Sequence, residues 1–430
     1  LHCTHPFATK NSLDIFLTDL GLRGRARSII GEIPKEKILK IVFESPYSLI
    51  ENVSGIGFRT ADEIAIRLGV KRESINRTIA GIEFAMSNAA QRDGHCGMPL
   101  RMLIKKTSEL LGTDEPTVEA IIHDGHASGF LSMESSEEEK FCFLSKLHSW
   151  ETGILDKIKL FTKSEPALNK SDIAKALSKL DGEFDFPLSE TQKIAIQSSF
   201  DSNFSVITGG PGVGKTTIIK GLVRTLKEAK INFALCAPTG RAAKRLGESS
   251  EEEALTIHRL LEFLPGSSFQ KNSKNLLKQN ALICDESSMI DVELMYALFD
   301  ALDPGTTIIL IGDIDQLPPV GPGQPFRDII NSGIVNINYL QENFRQNTNS
   351  GIVHAAVKVN SGHFPEVGTD INTDDFHVIS RTGSANIISG VKEFLEKLPG
   401  LRGGKYNSFT DVQILTPMNK GDLGTSNLNT

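Results

Sequence analysis

The sequence predicts an α/β fold. A parallel sheet of alternating strands and helices follows an all-helical region and precedes the opening elements of a second sheet domain. Three observations predict it. From Leu188 to about Gly362, short apolar runs alternate with amphipathic stretches, the pattern of βαβ units. After the first run, Ile218, Ile219, Leu222, Val223 and Leu226 recur at helical spacing. Four glycine-, proline- or acid-bearing motifs each follow an apolar run, and a parallel sheet binds ligands at the carboxyl ends of its strands.

Taken in order, residues 1–110 read as short helices between Gly and Pro turns, a helical candidate for nucleic-acid binding. Residues 111–187 read as a connecting domain, helical and then mixed, with a solvated acidic loop at Glu134–Glu139. The sheet domain spans 188–365, with strands over Phe204–Thr208, Ile231–Ala237, Ala281–Cys284 and Thr306–Ile311. Residues 366–430 read as part of a second lobe, with a segment Phe376–Ser380, a helix around Ile387–Leu398 and a strand Val412–Leu415.

The net charge of −7 does not advertise a polyanionic partner, but residues 1–110 carry 16 Lys and Arg against 12 Asp and Glu. The N-terminal part is therefore the better electrostatic match for a phosphate backbone. No apolar run reaches the ~18 residues that span a bilayer, and LHCTHPFATK carries no leader-like stretch. Five scattered cysteines (Cys3, Cys96, Cys142, Cys236, Cys284) form neither a disulfide framework nor a zinc-site spacing. Cys236 and Cys284 fall inside apolar strands as core residues, and a reducing, cytoplasmic setting is expected. The chain begins with Leu1 rather than Met and reads as a fragment or processed product.

Gly209-Gly210-Pro211-Gly212-Val213-Gly214-Lys215-Thr216 matches G-x-x-x-x-G-K-[ST] between a strand and an amphipathic helix. Its glycines let backbone N–H groups wrap phosphates, Lys215 reaches the terminal phosphates, and Thr216 holds Mg²⁺. Thr217 completes this ATP-binding set. Asp285-Glu286 after Ala281–Cys284 suits a metal-assisted hydrolase, with Asp285 anchoring Mg²⁺ and Glu286 activating water. Gln316, in GDIDQLPPVGPG, is placed to sense the terminal phosphate or water, on a loop stiffened by prolines. Arg345, in ENFRQ, is a candidate arginine finger.

In the N-terminal region, Val53–Gly57 followed by Arg59–Leu68 reads as a helix-hairpin-helix. Gly55 and Gly57 permit a tight hairpin whose N–H groups meet a phosphate, with Arg59 beside them. Thr60 and Glu63 form a capping box, and Ala61, Ile64, Ala65 and Leu68 form the buried stripe. The alternative is a helical packing turn that serves as a protein scaffold.

The set Ser189-Glu190-Thr191-Gln192, GGPGVGKTT, APTGRAAKRL, DESSM, GDIDQLPPVGPG, ENFRQ and ILTPMNKGDLG resembles the RecD-like helicases of superfamily 1, in its 5′–3′ branch. VSGIGFRTAD and GHCGMP extend the resemblance to the long-N-terminus members, so that it covers roughly residues 45–430. The resemblance implies a RecA-like P-loop NTPase lobe, the start of a second such lobe, and ATP-driven movement along single-stranded DNA in repair or recombination. It implies that Gln192 meets adenine, that Pro238, Thr239 and Arg241 touch DNA, and that Arg345 is one of two arginines completing the ATP site. His258, in Thr256-Ile257-His258-Arg259, matches the next DNA-facing motif, and residues 262–280 lie where the family carries a strand-separating pin. Here that segment is polar and Lys-rich, without evident hairpin character. The family's later motifs, with the second arginine finger, would fall beyond Thr430. The implied partners are single-stranded DNA and single/double-strand junctions, a single-strand-binding protein or nuclease subunits, with no membrane and a monomeric state.

Three other readings compete. Asn419-Lys420-Gly421-Asp422 matches the guanine-reading N-K-x-D of GTPase switches, but no D-x-x-G lies between Lys215 and Asn419. A helicase subunit of a recombination nuclease is another class, although no nuclease motif is present. A chain of this length that binds ATP and DNA without unwinding is the last.

Overall fold

The structure is a computed structural model that describes residues 45–53, 56–136, 139–180, 188–210, 212–265, 268–340, 350–365, 375–397, 401, 406–407 and 410–429. The chain divides into two compact units, residues 1–341 and 342–430.

The first unit opens with a 3₁₀ turn, Pro46–Ser48, and a short helical turn, Leu49–Asn52. Next come α1 (Phe58–Arg67), α2 (Ile75–Asp93), β1 (Gly97–Pro99), α3 (Leu100–Leu111), α4 (Glu115–Ala127), β2 (Leu131–Ser135) and β3 (Lys140–Leu144). The three strands form an antiparallel sheet in the order β1-β3-β2. Ile82 and Met86 of α2, Leu103 of α3, Ile122 of α4 and Cys142 of β3 share one core, so the packing runs across position 110 without a break.

In α1, Phe58, Ala61, Ile64 and Ala65 are buried, and Leu68 is half-buried. The expected capping box is not formed. The helix starts at Phe58 with Gly57 as its N-cap and no side-chain cap, which puts Thr60 inside the first turn, past the position where its hydroxyl could cap the helix. A buried ion pair fixes α1 instead: Arg77 of α2 donates from Nε to Asp62 Oδ1 at 2.9 Å and from Nη2 to Oδ2 at 3.0 Å. The Tyr47 hydroxyl donates to the same carboxylate at 2.7 Å.

Then follow α5 (Ser145–Lys163), α6 (Lys170–Lys179), α7 (Glu190–Ser198), β4 (Phe204–Gly209), α8 (Lys215–Glu228), β5 (Phe233–Ala237), α9 (Gly240–Ser250), β6 (Ala254–Thr256), α10 (Ile257–Leu260), β7 (Ala281–Cys284), α11 (Val292–Asp300), β8 (Thr307–Gly312), α12 (Pro325–Ser332) and β9 (Asn336–Leu340). Six parallel strands run in the order β6-β5-β7-β8-β4-β9. The expected strands Ile231–Ala237 and Thr306–Ile311 form as Phe233–Ala237 and Thr307–Gly312.

Alternate residues of the central strands serve opposite faces, as the period of two requires. Ile207, Leu235, Ile283, Ile309 and Ile311 pack under α7 and α8. Phe204, Val206, Cys236, Leu282, Cys284 and Leu310 pack under α11 and α12. The helices preceding the first strand belong to these layers. Ile154, Ile158 and Phe161 of α5 enter the second face, and Ile173 of α6 enters the first. The Phe161, Phe204 and Phe299 rings meet with centroids 5.5–6.3 Å apart, and Lys157 pairs with Asp300 at 2.9 Å.

The second unit contributes α13 (Gly351–Asn360), α14 (Ser384–Lys397) and a short turn, Thr425–Leu428. Asp375 caps α13 by accepting from Ser350 Oγ at 2.6 Å and Gly351 N at 2.7 Å. The expected strand at Val412–Leu415 is not formed among the described residues, and the segment Phe376–Ser380 carries no regular secondary structure. A strand exists by pairing, and among the described residues neither segment takes part in a ladder. Among the described residues no helix is long and apolar enough to cross a membrane.

Asp62→Ala leaves the Arg77 guanidinium buried without its carboxylate. The expected loss is about 3 kcal/mol of stability, read by urea unfolding, with Asp62→Asn losing less.

Candidate active site

The central strands end in polar residues along one edge. Past Gly209, Gly212 (φ +83°) and Gly214 (φ +84°) take the left-handed conformation that favours glycine, and Gly214 is the N-cap of α8. Gly209 admits no side chain, since a Cβ would lie 2.7 Å from the Leu340 carbonyl of β9. Gly210 faces open space, and Val213 anchors the loop in the core. Thr216 and Thr217 sit half-buried in the first turn of α8, at the positive end of the helix dipole, which favours an anion. Pro211 lies outside the described residues.

Lys215 folds back over this loop. Its Nζ donates to the carbonyls of Gly209 and, at 3.1 Å, Gly210, and lies 3.9 Å from Asp313 Oδ2. Asp313 follows β8 and is 2% exposed. It accepts from Asp315 N at 3.1 Å and from Gln316 Nε2 at 3.3 Å, and so joins Lys215 to the Gln316 loop. Sequence reasoning assigned Asp313 no role. The available signal was its position directly after a strand, which matches that of Asp285.

Asp285 extends the ladder, donating its N–H to the Cys236 carbonyl at 2.9 Å. Burial pushes its carboxyl up to about 6, and the Glu286 carboxylate adds to the rise. The Glu286 N–H, 2.9 Å from Asp285 Oδ1, and the charges of Lys215 and Arg245 oppose it. Glu286 is held at φ +51°, a left-handed conformation costly for a side chain with a Cβ. Its Oε2 is buried with no hydrogen-bond partner. A desolvated carboxylate beside an unpartnered acid oxygen and a loop of left-handed glycines fits a divalent cation carrying an anionic ligand. Thr216 and Asp285 are the side chains that would hold Mg²⁺.

Gln192, 4% exposed, has a local task that sequence reasoning missed. It closes a capping box at the start of α7: Gln192 Oε1 accepts from Ser189 N at 3.1 Å, and Ser189 Oγ accepts from Gln192 N at 3.2 Å. The spacing S-x-x-Q carries that signal. The carbonyl end of the side chain is thus engaged, which leaves the amide nitrogen for a ligand.

The DNA candidates share the same sheet edge. Ala237 of β5 pairs with Thr256 of β6, so Pro238–Arg241 and Thr256–His258 leave the sheet side by side. Thr239 Oγ1 caps α9 through Ala242 N, and Thr256 Oγ1 caps α10 through Arg259 N, both at 3.2 Å. Arg241 and His258 are exposed. The 262–280 segment has more hairpin character than its composition suggests. Phe263 and Phe269 form an antiparallel bridge, and both rings pack against His258. Near the start of the chain, Gly57 and Arg59 are exposed at the head of α1, and a Cβ on Gly57 would meet nothing within 4 Å. Gly55 and Arg345 lie outside the described residues. In the second unit, Asp422 of the N-K-x-D match accepts from Ser384 Oγ at 2.8 Å.

Residues 192–322 match the family described as an AAA domain, and residues 8–97 match the ATP-dependent RecD2 DNA helicase HHH domain. The chain is 30% identical over 395 residues to the ATP-dependent RecD2 DNA helicase of Deinococcus radiodurans, covering 88% of this chain and 52% of that protein. It is 39% identical over 157 residues to the RecBCD enzyme subunit RecD of Haemophilus influenzae, covering 31% of this chain and 24% of that one. The crystal structure of Pif1 helicase from Candida albicans superimposes with a TM-score of 0.35 at 22% identity, over 42% of this chain and 45% of that chain. The chain spans about half the length of the RecD2 relative.

The raised Asp285 carboxyl sets a pH dependence. Between 3.8 and about 6 the folded protein holds a proton that the unfolded chain releases, so stability falls as pH rises through that window. In chelator, Asp285→Asn is expected to stabilise the protein at pH 7.5 by up to about 3 kcal/mol. The gain should vanish near pH 4, as read from unfolding midpoints across the range.

Proposed function

We propose, from a chain that belongs to the RecD-like family of superfamily 1 helicases, that this protein hydrolyses ATP to drive movement along single-stranded DNA. One observation carries the reading. Lys215, Asp285, Glu286, Asp313 and Gln316 converge on the same sheet edge from which Pro238–Arg241 and Thr256–His258 emerge.

The residues divide the work. The glycine loop and the first turn of α8 bind the phosphates, and Lys215 exchanges its loop carbonyls and Asp313 for the terminal phosphate. Thr216 and Asp285 hold Mg²⁺, which when bound neutralises charge on the phosphates. Glu286 takes a proton from the attacking water, and Gln316 orients that water. Gln192 presents its amide nitrogen to the base, and Arg345 completes the charge set. On the DNA side, Pro238, Thr239, Arg241 and His258 meet the single strand. Gly55, Gly57 and Arg59 meet a backbone phosphate at a junction.

The finer reading is translocation in the 5′–3′ direction in DNA repair or recombination, by a monomer. The similarity to RecD subunits favours a second reading, a motor within a recombination nuclease. Co-purification with nuclease subunits would select it.

Steady-state ATP hydrolysis, measured with and without single-stranded DNA, tests the proposal. The expected result is DNA-stimulated turnover that falls at least about 100-fold in Lys215→Ala. Glu286→Gln is expected to lose about 10²–10⁴-fold in kcat while still binding nucleotide. Wild-type turnover indifferent to Lys215→Ala overturns the assignment. Arg241→Ala is expected to weaken DNA binding on all sequences alike and to reduce its salt slope by about 1.

A further inference from the structure

The loop that carries Gln316 begins at Asp313 and ends at Gly323, and the two ends are held by different parts of the molecule. At the start, Asp313 holds the Gln316 amide beside Lys215. At the end, the Gly323 N–H donates to the carbonyl of Gly94 at 2.9 Å. Gly94 is the left-handed C-cap of α2 (φ +72°), so this anchor comes from the N-terminal helical region.

The packing around the anchor is close. Gly323 has φ +82°, and a Cβ there would lie 2.2 Å from Val292 Cγ2 and 2.9 Å from Cys96 Sγ. The Pro322 carbonyl accepts from Val292 N at 3.0 Å. A Cβ on Gly321 would lie 1.9 Å from the carboxylate of Asp291, which caps α11. Cys96, 8% exposed, belongs to the lobe core with Val292 and Phe326, whereas Met98 belongs to the N-terminal core with Ile82 and Leu103. The segment 94–98 therefore joins two cores. Between the anchors the loop is open, with Leu317 85% and Val320 94% exposed.

We propose that the Gly94–Cys96 segment positions the Gln316 loop for ATP hydrolysis, with Cys96 as a positioning residue that acts through Gly323. The inference rests on the reading of Gln316 as the residue that orients water. A loop fixed at both ends holds an amide at the phosphates, while a loop fixed only at Asp313 samples positions in which that amide is misplaced. Gly94 and Cys96 are not among the residues assigned to the phosphates, the metal or the base, so their loss is expected to lower turnover and leave ATP affinity in place. The same connection joins the turnover site to α2, whose Arg77 holds α1 of the helix-hairpin-helix.

The test uses the full chain with Cys96→Ala, Gly323→Ala and the near-isosteric Cys96→Ser. For Cys96→Ala and Gly323→Ala, kcat is expected to fall about tenfold with KM for ATP within twofold, and Cys96→Ser is expected to recover most of the loss. Amide hydrogen exchange over residues 313–324 is expected to quicken at least fivefold in the two damaging variants, with the P-loop helix unchanged. Unchanged exchange and unchanged kcat overturn the proposal. So does an exchange increase spread over the whole lobe, which marks a general packing defect. Should the wild-type chain hydrolyse no ATP, the functional reading fails at that point. The exchange measurement, which needs no turnover, then decides the positioning claim by itself.

Discussion

The constraint on which the rest of the structure depends is that a parallel sheet must be covered on both faces. The backbone of β4, β7 and β8 is buried, and their side chains point alternately into two separate cores. Water cannot serve either face, so helices must. The helices that follow each strand do not suffice, and the chain supplies α5 to one face and α6 to the other from residues that precede the first strand. The T-shaped packing of Phe299 on Phe161 and Phe204, with the Lys157–Asp300 pair, holds this cover in place. The segment 145–179 that precedes the sheet is thus built into the lobe.

The same burial sets the chemistry. Strand ends project polar groups from a dry sheet, where charge–charge interactions are stronger than in water. Asp285 and Asp313 lie at those ends, with Lys215 drawn between loop carbonyls and Asp313. The arrangement is costly as it stands. One carboxyl is pushed up by burial, one acid oxygen lacks a partner, and Glu286 holds a left-handed backbone conformation. Such costs collect where a ligand relieves them.

On the neighbouring strands, local capping and the expected recognition role share residues. Thr239 and Thr256 engage their hydroxyls in ending the loops and starting α9 and α10. Beside them the side chains of Arg241 and His258 are exposed. The aromatic bridge of Phe263 and Phe269 behind His258 gives the 262–280 segment a fixed base that its polar composition conceals.

The sequence by itself determined the sheet lobe and the identity of its edge. Alternation of strand and helix, the glycine spacing around Lys215 and the acids after Ala281–Cys284 are local patterns, and local backbone chemistry makes them legible. Tertiary structure decided whatever depends on partners distant in sequence. Asp313 became a site residue only because β8 pairs with β4 and brings it to Lys215. The helix α1 starts after Gly57 rather than at the local pattern around Thr60, and the Arg77–Asp62 pair ties it to α2. Val412–Leu415 has the composition of a strand, but a strand needs a neighbour, and composition cannot supply one. Cys96 was one scattered cysteine among five, and its seat against Gly323 exists because two cores close around a seven-residue crossing from Gly94 to Leu100.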